Sequence, residues 1–380
     1  MHAMRLPEYL FQWQNLVFAG FCVITLIQVF YYLFFFARFA FYKSKAKNIS
    51  QTHPVSVIIC SRDEAGNLAK NLPGVLVQKY RTTHEVIVVN DNSSDESKYI
   101  LKEYQKTFRQ LHLVELKQHA RFIPGKKFPL SVGIKTARYE IALLTDADCV
   151  PASEFWIEKM QDGFREGIEI VLGYGALHKK KGVFNKLVRW ETFHTALQYL
   201  SYAHVGRPYM GVGRNLSYKR SVFFRHKGFA SHNHIAGGDD DLFINKAATK
   251  KNTAIVIDKE AFTLSEPPKS WKQWVKQKNR HYTTSKYYKR VHKFLLGLYA
   301  FSHFFFYPLF IATLFFVSWK LSLLVFAVRF LLQGIILFHV TNKLDEKDLF
   351  PWYWILDAWM FFYYLLFSTA LFKKPKKAWK

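Results

Sequence analysis

The stretch Leu143-Leu144-Thr145-Asp146-Ala147-Asp148-Cys149-Val150 follows an apolar run, IALL (Ile141 to Leu144), with two carboxylates one residue apart. A short apolar run of this kind reads as a buried strand. In open α/β sheets, ligands bind beyond the carboxyl ends of the strands. Carboxylates this close repel each other, so a partner must hold them there. A divalent cation, Mg²⁺ or Mn²⁺, that keeps waters and bridges the oxygens of a diphosphate is the simplest such partner. A polar N-cap turn before a helix near Ser153 is the weaker reading.

Further runs of the same type lie on either side. VSVIIC (Val55 to Cys60), EVIVVN (Glu85 to Asn90), LHLVEL (Leu111 to Leu116) and EIALLT (Glu140 to Thr145) read as strands, with EIVLGYGAL (Glu169 to Leu177) as a fifth. Polar, helix-compatible segments separate the first four. This alternation predicts an α/β fold, a mostly parallel sheet with helices on both faces. Neither GxGxxG nor GxxxxGK[ST] follows the first strand, which argues against a dinucleotide-binding or P-loop domain.

Polar clusters occupy the strand ends and the loops beyond them. CSRDE (Cys60 to Glu64) contains Ser61, Asp63 and Glu64, and Asp63 taken alone reads as a cap for a helix starting near Ala65. In NDNSSDES (Asn90 to Ser97), Asp95 or Ser94 can cap the next helix. Asp91 has no capping duty and fits an acceptor for a base or ribose. IPGKK (Ile123 to Lys127) offers Lys126 or Lys127 to a phosphate, and a solvated turn explains it equally. GGDDDLF (Gly237 to Phe243) crowds three acids at a helix start. The helix N-terminus favours negative charge, yet crowding also raises a carboxyl pKa, as a general base requires. SWKQWVKQKNRHY (Ser270 to Tyr282) reads as an amphipathic helix with Trp271 and Trp274 suited to a bilayer interface. Gln277 and Arg280 share one face of it. Arg can clamp a diphosphate, and a purely interfacial helix competes with that reading.

The chain has 380 residues, is 50% hydrophobic, and carries a formal net charge of +26. That balance suits anionic partners. Basic runs flank apolar segments, as in KSKAK (Lys43 to Lys47) and KKPKKAWK (Lys373 to Lys380), which favours a membrane surface and not nucleic acid. A nucleic-acid binder also predicts a basic face, not acidic strand ends. Cys22, Cys60 and Cys149 have no metal-ligand spacing and imply no disulfide framework, which fits a reducing compartment. Leu16 to Tyr42 is apolar, longer than the ~20 residues that span a bilayer, and lacks a cleavage site. It reads as a signal anchor with Lys43, Lys45 and Lys47 on the cytoplasmic side. Phe294 to Val317, Leu321 to Val340 and Trp352 to Phe372 are apolar too. If all three span, the basic tail falls on the wrong side for the positive-inside rule. Arg329 inside the middle stretch is also costly in lipid. A re-entrant or interfacial middle stretch resolves both, leaving two or three C-terminal spans open.

The order of these motifs resembles the family 2 glycosyltransferases, whose fold is named GT-A. Arg62, Asp63 and Glu64 match the family's R-[ND]-E-like turn, and VVNDNSSD matches VVDDGSTD. GKKFPLSVGI matches the GK…ALNxGI segment, Asp146 and Asp148 the DxD, and Gly211, Gly213 and Asn215 in GVGRN the G-x-G-x-N. GDDDL matches EDxDL, and QKNRH matches QxxRW. The resemblance covers about residues 53–285.

It implies a GT-A nucleotide-diphospho-sugar transferase fold with flanking transmembrane helices. The order along the chain would be an N-terminal segment (1–13), a transmembrane signal anchor (14–42), a GT-A domain ending in an interfacial helix (43–292), C-terminal membrane segments (293–372) and a basic tail (373–380). It further implies an inverting transfer from a nucleotide-diphospho-sugar donor, UDP-linked, to a lipid-linked or glycan acceptor, in a bacterial cytoplasmic membrane with the domain facing the cytoplasm. Ser61, Asp63, Glu64, Asp91, Lys127 and Asp146 would hold the nucleotide, and Asp148 with Asp146 a divalent cation. Gln277 and Arg280 would cover the diphosphate, and Gly211, Gly213 and Asn215 would face the sugar and acceptor. The family's Glu in EDxDL falls on Gly238, so the base is expected at Asp239, with Asp240 second. The family's Trp becomes His281. These departures leave open a non-catalytic membrane scaffold with a degenerate transferase domain.

Overall fold

A computed structural model of the chain describes residues 13–43, 53–117 and 125–369. These fall into two compact units, residues 13–42 with 290–369, and residues 43–289. Most of KSKAK, the tail KKPKKAWK, Ile123 and Pro124 lie outside the described residues.

In chain order, α1 (Trp13–Tyr31) continues through a π turn (Tyr32–Phe36) into α2 (Ala37–Ala40). Then follow β1 (Val55–Ser61), α3 (Ala65–Leu76), β2 (His84–Asp91), α4 (Ser97–Thr107), β3 (Leu111–Leu116), α5 (Lys127–Thr136) and β4 (Ile141–Asp146). Shorter pieces come next: β5 (Cys149–Pro151), α6 (Trp156–Gln161), β6 (Ile170–Leu172) and β7 (Gly175–Leu177). The long α7 (Val183–His204) leads to β8 (Leu216–Lys219), α8 (Arg220–Arg225), α9 (Asp241–Ala247), β9 (Thr253–Ile255), β10 (Thr263–Ser265) and α10 (Trp271–Ser285). The chain closes with α11 (Arg290–Phe316), α12 (Trp319–Lys343) and α13 (Tyr353–Ser368).

The α/β unit holds a seven-stranded sheet in the order β3-β2-β1-β4-β8-β6-β9. The first four strands are parallel, and β8 pairs antiparallel with both β4 and β6. All seven residues of β1 are buried, which is why it reads as a continuous apolar run and not an alternating one. One face of this sheet packs Leu68, Leu72 and Val75 of α3, Leu101 of α4 and Trp156 of α6 into the main core. A second sheet, β5-β10-β7, lies beyond the DAD turn.

The expected fifth strand, Glu169 to Leu177, is two strands in two sheets. β6 joins the large sheet and β7 the small one, because the chain changes sheets at Gly173 and Tyr174. There the Gly173 N–H donates to the Asn215 carbonyl, and the Tyr174 carbonyl accepts from Thr263 N–H.

In the helical unit, three helical stretches are long and apolar enough to cross a membrane: Trp13–Ala40, Arg290–Phe316 and Trp319–Lys343. The middle C-terminal stretch is therefore part of one unbroken 25-residue helix, α12, and not the broken segment a re-entrant loop needs. Arg329 is accommodated by partners the sequence reading did not name. Its Nη1 donates to Asp357 Oδ2 of α13 at 2.6 Å and its Nε to Gln28 of α1 at 2.8 Å. Gln333 Nε2 and the Tyr307 hydroxyl also donate to the Asp357 carboxylate. The described part of α13 is 16 residues long.

Candidate active site

Strand register sets the positions first. β1 lies between β2 and β4, with Ser61 opposite Asn90 and Cys60 opposite Asp146. One sheet edge therefore presents Ser61, Asp91 and Asp146. Buried Cys60 marks where the charges gather. Its thiol is pushed up to about 12 by burial, with Lys126 opposing and Asp146, Asp239 and Asp91 adding to the rise. Groups from separate loops thus act on one sulfur.

The first two loops brace each other. Asp63, at φ +51°, does not cap α3; its Oδ1 accepts the Ser94 N–H at 2.7 Å and the Ser94 hydroxyl at 3.0 Å. Asp95 does the capping, accepting the Ala65 N–H at 2.8 Å and the Ser97 N–H at 3.0 Å. Glu64 accepts from Asn67 at 2.5 Å. Asp91 is buried, with the Arg62 guanidinium 3.8 Å away. The buried Ser61 hydroxyl has no hydrogen-bond partner among the described residues.

The third loop reverses one expectation. Lys127 does not face the carboxylates; its ammonium is buried and donates to the carbonyls of His232 and Ile235. Burial lowers its pKa to about 8. Lys126 takes the position expected of Lys127, ion-paired with Asp146 and 4.0 Å from Asp239. Gly125 makes this possible. It has φ +81°, and a Cβ there would stand 2.2 Å from the Ala236 carbonyl oxygen. Only glycine lets the two backbones come so close.

Asp146 and Asp148 differ. Desolvation would raise the Asp146 carboxyl, but the Lys126 ammonium overrides it and holds the group below its ordinary value. Asp148 is raised by desolvation and by the Asp146 charge. Ligand atoms of Asp146, Asp148 and Cys149 lie within 4.8 Å of one another. The Cys149 thiol donates to Asp148 Oδ1 at 3.4 Å and its own pKa is raised by burial, so it is a poor ligand here. The oxygen pair fits a hard divalent cation.

The acidic run separates into distinct roles. Asp241 accepts from the hydroxyls of Thr284 at 2.5 Å and Tyr288 at 2.7 Å. Asp240 accepts the Asp241 N–H at 2.7 Å and the Gly213 N–H at 2.8 Å. Desolvation, with Asp239 and Asp241 beside it, pushes Asp240 up to about 7. Asp239 faces Lys126. Gly238, where the family carries Glu, has φ +93°, and a Cβ there would meet Leu242 Cδ1 at 2.5 Å. A glutamate at this position would be strained.

In GVGRN, Asn215 is not placed to meet a sugar. It is fully buried, accepts from Trp156 Nε1 at 3.0 Å, and donates to the carbonyls of Tyr174 at 2.9 Å and Ala261 at 2.7 Å. Gly211 packs on Leu172, Leu216 and Ile244. Gly213 alone of the three borders the cluster, beside Asp240 and Lys126. Sequence reasoning passed over Arg214, whose charge acts on both Asp146 and Asp148. Its place inside GVGRN was the available signal.

On α10, Gln277 and Arg280 are exposed, and the Arg280 charge helps lower Asp146. Trp274 is fully buried and Lys278 pairs with Glu191 of α7, so this side of the helix packs into the domain and not against lipid. Trp271 stays exposed, its ring on Phe184.

The model of the family "Glycosyl transferase family 2" matches residues 56–232. An uncharacterized glycosyltransferase of Synechocystis is 30% identical over 133 residues, 34% of this chain and 40% of the relative. A poly-beta-1,6-N-acetyl-D-glucosamine synthase of Staphylococcus epidermidis is 29% identical over 140 residues, 36% of this chain and 32% of the relative. The chain thus spans well under half the length of these two curated relatives. A mannosyltransferase from Pyrobaculum calidifontis, solved in complex with GDP-Man and Mn²⁺, superposes with a TM-score of 0.58 at 18% identity, covering 92% of this chain and 99% of that one. At that identity the likeness speaks for the fold.

Proposed function

We propose, from the match of residues 56–232 to the family 2 glycosyltransferase model, that the chain moves a sugar from a nucleotide-diphospho-sugar, UDP-linked, to a lipid-linked or glycan acceptor at a membrane surface. The observation that carries this reading is the ion pair of Lys126 with Asp146, its 4.0 Å approach to Asp239, and the register that sets Asp91 and Asp146 at the carboxyl ends of the strands on either side of β1.

The roles follow from the contacts. Asp91 accepts hydrogen bonds from the nucleoside, and the paired loops of Asp63 and Asp95 hold its strand end in place. Asp146 and Asp148 would hold Mg²⁺ or Mn²⁺, which when bound stabilises charge on the departing diphosphate. Arg280, exposed yet within electrostatic reach of Asp146, closes over the diphosphate. Asp239 is the general base that takes the acceptor hydroxyl proton, since both oxygens of Asp240 already accept backbone N–H groups. A single in-line displacement of this kind inverts the anomeric centre. The helical unit anchors the enzyme in a bacterial cytoplasmic membrane with the domain on the cytoplasmic side. That location favours a lipid-linked acceptor.

The test uses the full chain in lipid nanodiscs with Mn²⁺ and a panel of UDP- and GDP-sugars, product being followed by mass spectrometry. Asp239→Asn should lower transfer by about 10²–10⁴-fold, the usual worth of a general base, while nucleotide still raises the thermal midpoint. Undiminished turnover in that variant removes Asp239 from the base role. No transfer from any donor by the wild type rejects the enzyme reading.

A further inference from the structure

The loop before α5 divides its work between adjacent lysines. Lys127 is an anchor, its ammonium buried on the carbonyls of His232 and Ile235. Gly125 presses the same loop onto Ala236. Together they fix the loop against the segment that leads into the three aspartates. Lys126, held between them, has a side chain only 13% exposed and is ion-paired with Asp146. It also stands 4.0 Å from Asp239. One ammonium therefore lies between a carboxylate that would hold a cation and the carboxylate assigned as base.

We propose that Lys126 is a positioning residue that occupies the cation's seat at Asp146 until a nucleotide diphosphate arrives, and so makes cation and donor bind together. The inference rests on the transferase reading above. A cation arriving alone must compete with an ammonium already paired with Asp146. It meets the same ligand without competition once the ammonium has another anion to pair with. A diphosphate, with more charge than one carboxylate, is that anion, and a four-carbon stem allows the transfer. Asp239 meanwhile keeps the lysine near the cleft.

The test is Mn²⁺ binding to the full chain in nanodiscs, read by electron paramagnetic resonance without donor and then with saturating UDP or GDP. Wild type should bind Mn²⁺ weakly alone and more tightly with nucleotide. Lys126→Met should bind Mn²⁺ alone at least about ten-fold tighter than wild type, the scale of one close charge pair, and gain less from nucleotide. Lys126→Arg keeps the charge and should stay weak for the metal alone. Lys126→Gln serves as the neutral variant if the methionine variant does not fold. Equal or weaker metal-alone binding in the neutral variant, with nucleotide-dependent Mn²⁺ binding intact in wild type, overturns the inference alone. A wild type that binds no Mn²⁺ even with nucleotide overturns the transferase reading and this inference with it.

Discussion

Asp357→Leu should destabilise the helical unit by about 2–5 kcal/mol. Asp357 is 3% exposed and Arg329 1%, so the ion pair between them has no water to replace a lost partner. The carboxylate accepts from Arg329 Nη1 at 2.6 Å, Gln333 Nε2 at 2.6 Å and the Tyr307 hydroxyl at 2.5 Å. Side-chain hydrogen bonds between membrane helices average about 0.6 kcal/mol and reach about 1.7, so three of them give about 2–5 kcal/mol. Removing one partner of a buried ion pair costs about 3–5 kcal/mol by a separate route, which agrees.

The stronger test is the cycle. Arg329→Met with Asp357→Leu leaves no uncompensated charge, and apolar replacements of a buried pair are often nearly neutral. The double variant should recover most of the loss, giving a coupling of at least about 2 kcal/mol. The arginine also lies 4.4 Å over the Phe306 ring and bonds Gln28, so Arg329→Met alone loses additional contacts and recovery will be incomplete. Reversible unfolding in mixed detergent, followed by circular dichroism, measures all four proteins. A single variant costing under about 1 kcal/mol, or a strictly additive double, would show that the pair does not hold α12 and α13 together.

The remaining expectations concern the α/β unit. Asn215→Ala orphans the Trp156 indole N–H and two carbonyls between the sheets; it should cost about 3 kcal/mol or more, seen as a lowered thermal midpoint, and an unchanged midpoint would return Asn215 to a sugar-binding role. Asp240 has a folded pKa of about 7 against an ordinary 3.8, so the folded state keeps a proton that the unfolded chain releases. Its contribution to stability is therefore complete below about 4 and lost as pH rises through about 7. Asp240→Asn should remove that part of the pH dependence in thermal unfolding, and an identical profile would contradict the assignment.

Much of the fold was readable because parallel strands buried on both faces are near-continuous apolar runs. β1 to β4 match the expected strands to within a residue at either end. The three-residue strands β5, β8-adjacent β6, β7, β9 and β10 give no such signal, and their pairing is decided by tertiary partners such as Asn215. That is why Glu169 to Leu177 reads as one strand yet serves two sheets. Asp146, Asp148 and Asp239 stood out as candidates because strand ends and charge crowding are local features. Lys126 and Lys127 are adjacent and chemically alike, so only the path of the backbone past His232 and Ile235 distinguishes them. Asp357 lay unnoticed for a similar reason. Its partner is 28 residues away on another helix, and helical spacing alone does not pair them.

A common logic explains why charged residues come in runs here when like charges repel. In three of these runs one residue carries a role under the proposed function while its neighbours fix the backbone beside it. Asp91, Lys126 and Asp239 carry the proposed roles, while Asp95 caps α3 and α4, Lys127 is anchored, Asp240 holds Gly213 and Asp241 holds α10. Loops carry the functional groups, and an unbraced loop would lose entropy each time it adopted the reactive geometry. Building the brace from the residue next door makes each functional position depend on the shortest possible stretch of chain. It also accounts for Gly238. A residue at φ +93° stands just before the aspartates, and a glutamate would be strained there. On the transferase reading proposed above, the base is then Asp239, one residue on.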